Sequence, residues 1–350
     1  MNTRRQFLNN VMGLGLTSLL PISGFAGLPQ EHDRDNRLFP KALKKGDTIG
    51  LIAPGYAFPP KVLEETIDTL TTLGFKTYHT DRVLQPHGYF SNTDENRVTD
   101  INHMFSNSEV DGILCVRGGY GCTRILGQLD YANIAKNPKA LIGFSDVTAL
   151  LNGIHKFTGL ITFHGPVGST LDDSYSIKAF ESILSFPKEN GVINNAVLES
   201  KYLSNPEYDR YTITPGIATG RLCGGSLTLI NALIGTPQEI DFTDALVCIE
   251  DIDEAPYRID RMLTQLIESK TFKNAAGIIF GVCAGCNEST NPNSFTLKEV
   301  IMDRIKPLNI PAAYGMSFGH VEQNFTFPIG INATFRTEEQ TITLLEKPVS

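Results

Sequence analysis

Strand-like and helix-like segments alternate through the first half of this 350-residue chain. Short apolar segments with the composition of strands lie at 48–53, after Gly74, at 112–116 and at 140–142. Between them, apolar residues recur at helical spacing around 63–73, 98–105 and 125–129. A helix between successive strands favours parallel pairing, because the chain must cross over before the next strand begins. The alternation therefore predicts an α/β fold with a Rossmann-like parallel sheet.

The sequence pattern changes near residue 186, which indicates a second domain. The range 186–215 is polar, rich in Asn and Tyr and without clear periodicity, as expected of a linker. Beyond it we expect a turn at Gly224-Gly225, strands at 245–249 and 277–280, a helix from Pro256 and a β-rich tail at 325–345. We therefore predict an N-terminal α/β domain at 46–185 and a β-rich α/β C-terminal domain at 216–350.

The first 26 residues have the features of a twin-arginine export signal. Arg4-Arg5 precede Phe-Leu and an apolar run at 11–20, and Ala26 offers a cleavage point among small residues. The run is shorter than the roughly 18 to 20 residues that span a bilayer, so no stable membrane anchor is expected. Glycine and proline around the run disfavour the alternative, an ordinary amphipathic helix. We therefore expect a periplasmic protein in which 27–45 is a charged lead-in.

Charge and cysteine content exclude several partners. The formal net charge of -8 would repel a phosphate backbone, so nucleic acid is not an expected partner. Several of the six cysteines, among them Cys115 and Cys248, lie in apolar runs, which is typical of small buried hydrophobes. Cys283 and Cys286 have the spacing of a redox pair or half a zinc site, but no second pair completes four ligands. We expect no disulfide framework, no metal and no organic cofactor.

Ser145 stands where an apolar strand meets a helix pattern at 147–154. A sharp strand-to-helix turn exposes a nucleophilic hydroxyl, and the helix N-terminus directs backbone N–H groups at a developing oxyanion. The N–H of Asp146 is the natural first donor. The G-x-S-x-G pattern is half met, because Gly143 is present but Val147 replaces the second glycine. The alternative is that Ser145 or Asp146 merely caps the helix.

A glycine-rich loop, Arg117-Gly118-Gly119-Tyr120-Gly121, follows the strand at 112–116. Glycines let the backbone approach a ligand and expose its N–H groups. We expect Gly118 to contact substrate, Gly119 to supply a second oxyanion donor, and Arg117 to hold a carboxylate. A phosphate-binding loop is disfavoured because neither a complete P-loop nor a dinucleotide fingerprint is present. A tight turn without a ligand remains the alternative.

Glu250 and Asp251 end the apolar strand at 245–249. A carboxylate at a strand end in an α/β protein is placed to orient a histidine. The same cluster, with Asp253 and Glu254, is equally typical of a solvated acidic turn, and it has the oxygen ligands of a divalent cation site.

Two of the seven histidines, His164 and His320, lie in glycine-flanked loops, where functional residues concentrate. Both therefore stand as candidates for a general base.

Five separated motifs resemble, in family order, those of the LD-carboxypeptidases, also called muramoyltetrapeptide carboxypeptidases. They lie at 117–121, 138–148, 164–166, 250–251 with 256–263, and 318–320. The resemblance implies Ser145 as nucleophile, Glu250 as acid and His320 as general base. It thereby selects His320 over His164. It also implies removal of terminal D-alanine from murein tetrapeptides through an acyl-enzyme, and a homodimer.

Recognition of such a substrate would require a cation for the free carboxylate and an acidic group for the ammonium of the diamino acid. Arg117 and Glu254 are the candidates, although Arg117 paired with a neighbouring acid is an equal alternative. Ser226 stands where the family resemblance leads us to expect asparagine. Two rival functions remain: an amidase acting on a peptide-nucleotide antibiotic, and an exported solute-binding protein without catalysis.

Overall fold

The computed structural model describes residues 36–287 and 289–350. The predicted export signal at 1–26, its cleavage at Ala26 and most of the lead-in lie outside the described residues. Within the described ranges, no helix is long and apolar enough to cross a membrane.

The first sheet has six strands in the order β12-β5-β4-β3-β1-β2. Its strands are β1 (Thr48–Ile52), β2 (Lys76–Tyr78), β3 (Gly112–Cys115), β4 (Ala140–Gly143), β5 (Thr162–His164) and β12 (Phe327–Ile329). The first five pair in parallel, and β12 pairs antiparallel with β5. Strands β3 and β4 are buried at every residue, which explains why they read as continuous apolar runs. The predicted parallel α/β sheet is confirmed.

Nine α-helices accompany the two sheets in the described ranges. They are α1 (Pro60–Thr72), α2 (Asp94–Ser106), α3 (Cys122–Ile125), α4 (Tyr131–Lys136), α5 (Thr148–Thr158), α6 (Ser174–Leu184), α7 (Leu227–Leu233), α8 (Pro256–Ile267) and α9 (Leu297–Ile305). The helix predicted at 125–129 is wrong in extent: α3 ends at Ile125 and a 3₁₀ turn covers Leu126–Gln128. Gly127, a poor helix former, lies inside that turn.

The second sheet has eight strands in the order β6-β14-β13-β8-β9-β10-β11-β7. They are β6 (Val192–Asn194), β7 (Tyr211–Thr214), β8 (Ile217–Ser226), β9 (Ala245–Glu250), β10 (Gly277–Gly281), β11 (Ala312–Met316), β13 (Asn332–Arg336) and β14 (Thr341–Leu344). The four central strands, β8 to β11, are parallel, while the flanking strands are antiparallel. This sheet is the predicted β-rich second unit.

The range 186–215, predicted as a linker, contains β6 and β7, which form the two edges of the second sheet. Each of these strands is only three or four residues long and leaves most of its positions at least partly exposed. They therefore lack the apolar run that announces a central strand. The chain also returns to the first sheet late, when β12 pairs with β5.

The turn predicted at Gly224-Gly225 is wrong, because both glycines lie inside β8. Their φ angles are +105° and +134°, values that strain any side chain. A Cβ on Gly224 would lie 2.2 Å from the carbonyl oxygen of Cys248, and one on Gly225 would lie 2.4 Å from Thr148 Oγ1. The glycines thus let β8 pack closely against both β9 of the second sheet and α5, which follows Ser145.

All six cysteines are buried, free thiols. Burial raises the pKa of Cys115, Cys122 and Cys248. For Cys283, the hydrogen bond to Cys286 and burial together raise the thiol pKa well above its ordinary value. The cysteines therefore act as apolar packing residues, as predicted.

Candidate active site

Ser145 occupies a strained turn between β4 and α5. Its φ of +62° lies in the left-handed region, which costs a residue with a side chain about 1–2 kcal/mol. The turn continues as a 3₁₀ segment, Ser145–Val147, into the helix. A Cβ on Gly143 would lie 2.9 Å from Val147 Cγ1, so the glycine before the serine makes room for the valine after it. The half-met glycine pattern therefore still forms a nucleophile elbow.

His320 approaches Ser145 from the loop that follows β11. Its Nε2 lies 2.9 Å from Ser145 Oγ, within the range that permits proton transfer. The ring of Phe144 meets the imidazole edge-on, with centroids 4.9 Å apart. The His320 side chain is 17% exposed, so the Ser–His pair lies at the protein surface rather than inside the core.

Glu250, the last residue of β9, lies behind His320 and is fully buried. Its Oε2 accepts a hydrogen bond from His320 Nδ1 at 2.8 Å. A Cβ on Gly281 would lie 3.2 Å from Glu250 Cβ and 2.5 Å from the carbonyl oxygen of Phe318. The absence of a side chain at this glycine of β10 lets the His320 loop reach the carboxylate.

Electrostatics favour a charged glutamate and a basic histidine. Burial alone would raise the pKa of Glu250, but the two nearby imidazole rings outweigh burial and lower the pKa to about 2. Burial likewise opposes charge on His320, but the attraction of Glu250 prevails and raises the pKa of His320 above its ordinary value of 6.5. The carboxylate accepts a hydrogen bond from Nδ1–H, which leaves Nε2 of the neutral ring free to accept a hydrogen bond from the Ser145 hydroxyl.

The glycine-rich loop lies directly beside the serine. A Cβ on Gly118 would lie 3.2 Å from Ser145 Cβ, and one on Gly119, where φ is +100°, would collide with the Tyr56 ring at 2.5 Å. The N–H of Tyr56 donates to the Gly118 carbonyl at 3.1 Å and holds the loop in place. A side chain at Gly119 is therefore excluded by both the Tyr56 ring and the backbone conformation, and one at Gly118 would press on Ser145.

Asp146 connects the serine turn to the end of the glycine-rich loop. Its buried Oδ2 accepts the backbone N–H of Cys122 at 2.7 Å. Burial raises the pKa of this carboxyl, while the hydrogen bonds of Cys122 oppose the shift. The hydrogen bond between Asp146 and Cys122 holds the serine turn next to the glycine-rich loop. The backbone N–H groups of Asp146 and Gly119 remain the predicted oxyanion donors.

The two predicted substrate-binding side chains differ in their present partners. Arg117 is exposed, its guanidinium donates to the Ala57 carbonyl at 3.4 Å, and it forms no ion pair with any residue that the structure describes. Glu254 lies 3.5 Å from Arg258, one helical turn further along. Arg117 therefore retains donors for an incoming carboxylate, whereas Glu254 would have to share its charge with Arg258.

The neighbours of the triad have structural roles. Asp251 makes no hydrogen bond to His320 among the described contacts and instead accepts both the N–H and the hydroxyl of Thr228 at 2.9 Å. Ser226, in register with Glu250, caps α7 by accepting from Leu229, and its N–H donates to Thr148 Oγ1. The position at which we expected asparagine therefore holds the two halves of the site together.

His164, the other candidate base, does not contact Ser145. It lies on the far side of Glu250, with its Nε2 3.9 Å from Glu250 Oε1. Sequence reasoning placed this histidine near the site but missed its position behind the acid. Its placement at the end of β5, two strands along from β3 and its glycine-rich loop, is the signal that points there.

Among residues 36–287 and 289–350, no group of three or more His, Cys, Asp or Glu side chains is arranged to hold a metal ion.

A strained serine at a strand–helix turn, hydrogen-bonded to a histidine that is oriented by a buried carboxylate, defines a hydrolase of the serine type. Two family models match the chain: the LD-carboxypeptidase N-terminal domain over residues 49–165 and the LD-carboxypeptidase C-terminal domain over residues 219–335. The chain belongs to the LD-carboxypeptidase family, and it is a serine-type carboxypeptidase.

Individual relatives agree with this assignment. A probable murein peptide carboxypeptidase of Bacillus subtilis is 38% identical over 306 residues, which cover 86% of this chain and 92% of that protein. The crystal structure of a muramoyltetrapeptide carboxypeptidase from Oxalobacter formigenes is similar with a TM-score of 0.73 and 29% identity, covering 85% and 97% of the two chains. The structure of MccF in complex with glutamyl sulfamoyl guanosine is similar with a TM-score of 0.79 and 25% identity, covering 89% of this chain and 100% of that chain.

Proposed function

We propose that this enzyme removes the C-terminal D-alanine from murein tetrapeptides by cutting the bond that follows the L-centre of the diamino acid. The observation that carries the proposal is the hydrogen-bonded series from Ser145 Oγ to His320 at 2.9 Å and from His320 to Glu250 at 2.8 Å. The names of the Bacillus subtilis and Oxalobacter formigenes relatives support the choice of a murein peptide as substrate.

The first half of the reaction transfers the peptide acyl group to the enzyme. Ser145 Oγ attacks the carbonyl carbon while its proton passes to His320 Nε2, and Glu250 stabilises the imidazolium that results. The C–N bond then breaks, and the imidazolium returns the proton to the departing amine of D-alanine. The elevated pKa of His320 suits a group that must both accept and return a proton.

The second half releases the shortened peptide. Water attacks the acyl-enzyme, gives its proton to His320 Nε2, and the Ser145 ester bond breaks as the serine recovers that proton. In both halves the backbone N–H groups of Asp146 and Gly119 stabilise the oxyanion of the tetrahedral intermediate. Their proximity to Ser145 is set by the strained turn and by the contact between Gly118 and the serine.

Substrate recognition uses charge at both sides of the scissile bond. Arg117, which has no acidic partner among the described residues, binds the carboxylate of the terminal D-alanine. The backbone at Gly118 admits the peptide close to the serine. Glu254 attracts the ammonium of the diamino acid, in competition with its ion pair to Arg258.

A second candidate function is hydrolysis of a peptide linked to a nucleotide. The specific observation in its favour is the TM-score of 0.79 with MccF bound to glutamyl sulfamoyl guanosine. The same triad would serve both reactions, because each one transfers an acyl group to a serine. The two candidates therefore differ in substrate rather than in mechanism.

We infer the cellular location of the enzyme from the twin-arginine pattern at Arg4-Arg5. We place the mature enzyme in the periplasm as a homodimer, where it meets intact wall or released muropeptides. Replacing both arginines with lysine should retain the enzyme inside the cell, and light scattering of the purified protein should give twice the monomer mass.

The deciding experiment offers three peptides to the purified enzyme and measures amino-acid release. We expect D-alanine from the murein tetrapeptide. We expect no release from the same peptide ending in L-alanine, and slower cleavage of a nucleotide-linked peptide. Faster cleavage of the nucleotide-linked peptide would favour the second candidate. Binding of all three without cleavage would contradict both.

A further inference from the structure

A second histidine lies inside the catalytic site without any role in the scheme above. His164 ends β5 and is fully buried. Its ring stacks on Phe327 with centroids 4.6 Å apart, and the rings of Phe144 and Phe318 meet it edge-on at 6.0 Å and 5.9 Å. These three phenylalanines form an aromatic cage around the imidazole.

The polar atoms of His164 have no hydrogen-bond partner in this cage. Among the described residues, Nδ1 and Nε2 of His164 and Oε1 of Glu250 are all buried without one. The Nε2 and Oε1 atoms face each other at 3.9 Å, too far for a hydrogen bond but close enough that a shift of about 1 Å would form one. Unpaired buried polar atoms are costly, so their placement opposite one another points to a contact that forms at some stage.

His164 is neutral in this environment. Burial in the cage lowers its pKa, and charge on His320 lowers it further, while Glu250 opposes both. Glu250 on β9 and His320 on its loop are the titratable groups that face the ring. Neither the cage nor Gly225 of β8, whose added Cβ would lie 3.0 Å from His164 Cδ2, contributes another. A neutral imidazole carries one N–H, and Nε2 is the atom directed at the carboxylate.

We propose that His164 is a positioning residue that donates its Nε2–H to Glu250 Oε1 during the reaction. With Oε1 held by His164 and Oε2 held by His320, the carboxylate cannot rotate away as His320 gains its proton from Ser145. This inference rests on the proposed function, since it assigns a partner to the acid of the triad. His164 is fully buried and its ring nitrogens have no other partner among the described residues, so it acts through Glu250 alone.

Two substitutions separate a positioning role from simple packing. His164→Phe fills the cage and removes the donor, whereas His164→Gln keeps an amide N–H near the position of Nε2. We expect His164→Phe to lower kcat about 10- to 100-fold without changing KM, and His164→Gln to restore most of the loss. Equal activity of His164→Phe and the wild type, or no recovery in a folded His164→Gln, would overturn the proposal.

The pH profile adds a readout that packing would not move. Without the donor, Glu250 holds the proton of His320 more tightly during the reaction, so the acidic limb of the kcat profile should shift upward by up to about one pH unit in His164→Phe. The groups that set this limb are Glu250, Asp251 and Asp253, which all raise the pKa of His320. An unchanged limb in a folded variant would contradict the proposal.

Nitrogen NMR of the histidine-labelled wild-type enzyme needs no variant and covers the case of misfolding. We expect the His164 ring to be neutral and protonated at Nε2 throughout the pH range in which the enzyme is active. An Nδ1-protonated or a charged ring would overturn the proposal. Ser145→Ala is the parallel control: if it stays active, the triad itself fails, whereas an inactive Ser145→Ala beside a fully active His164→Phe refutes only the role of His164.

Discussion

Gly319 and Glu250 are packed so closely that a Cβ on the glycine would lie 2.5 Å from the Oε2 atom of the carboxylate. The φ of Gly319 is +98°, a conformation that side chains rarely adopt. This single contact places His320, the next residue, in line between the acid and the serine. The geometry of the triad therefore depends on a residue with no side chain.

Replacing Gly319 with alanine should disable the enzyme more than it destabilises the fold. The added methyl group displaces His320 from Glu250, and a misplacement near 1 Å costs about 10²-fold in kcat/KM. Gly46→Ala is the matched control, because its φ of +94° gives similar strain while no atom among the described residues lies within 4 Å of the new Cβ. Thermal melting and peptide hydrolysis of both variants check this. Equal activity losses would contradict the expectation.

Replacing Glu250 with glutamine should lower kcat and move the acidic limb of its pH profile. In the proposed mechanism neutral His320 is the active base, so we expect wild-type activity to fall as the pH drops through the raised pKa of His320. Glutamine removes the attraction that raises this pKa but leaves the burial that lowers it. The limb should therefore move to lower pH, with kcat reduced about 10³- to 10⁴-fold because the ring loses its orientation. A limb that stays in place would argue against Glu250 as the partner of His320.

Replacing Arg117 with alanine should raise KM about tenfold for peptides with a free C-terminus and leave kcat nearly unchanged, because a uniform binding contact is lost. A peptide with an amidated C-terminus provides the control: wild type and variant should then have the same KM. The KM of Arg117→Lys for the free carboxylate should lie between the KM of the wild type and that of Arg117→Ala. An unchanged KM for the free carboxylate would remove Arg117 from the binding site.

The cysteines should not react in the native enzyme. All six are buried away from a reagent in solvent, and burial raises the pKa of the Cys115 and Cys248 thiols further from the thiolate form. Ellman's reagent should detect no thiols in the native protein and six after denaturation. Rapid native labelling of Cys283 or Cys286 would revive a redox role for that pair.

The sequence predicts the first sheet well because its central strands are buried on both faces and read as unbroken apolar runs. The same pattern does not reveal β6 and β7, since short half-exposed edge strands carry few apolar residues. Nor does it reveal that β12 joins the first sheet, because strand pairing between distant segments leaves no local mark.

Within the site, the local pattern makes Ser145 a candidate nucleophile beside a helix-capping alternative, and it does not identify the partners of the serine. Glu250 and Asp251 are adjacent and chemically alike, and neighbouring strand residues point to opposite sides, so only the fold shows that Glu250 faces His320 while Asp251 faces Thr228. The sequence likewise identifies His164 as a candidate base. Its position behind Glu250 depends on how β5 of the first sheet packs beside β9 of the second, and only the fold shows this.

The most direct test of the central claim is the rate of D-alanine release by Ser145→Ala compared with the wild type. The variant should keep the melting temperature of the parent, because the methyl group fits where the hydroxymethyl group lay. Its kcat should fall by at least about 10³-fold, since no group replaces the attacking oxygen. A fluorophosphonate probe should modify Ser145 in the wild type and leave the variant unlabelled. Undiminished D-alanine release by a folded Ser145→Ala would contradict the account.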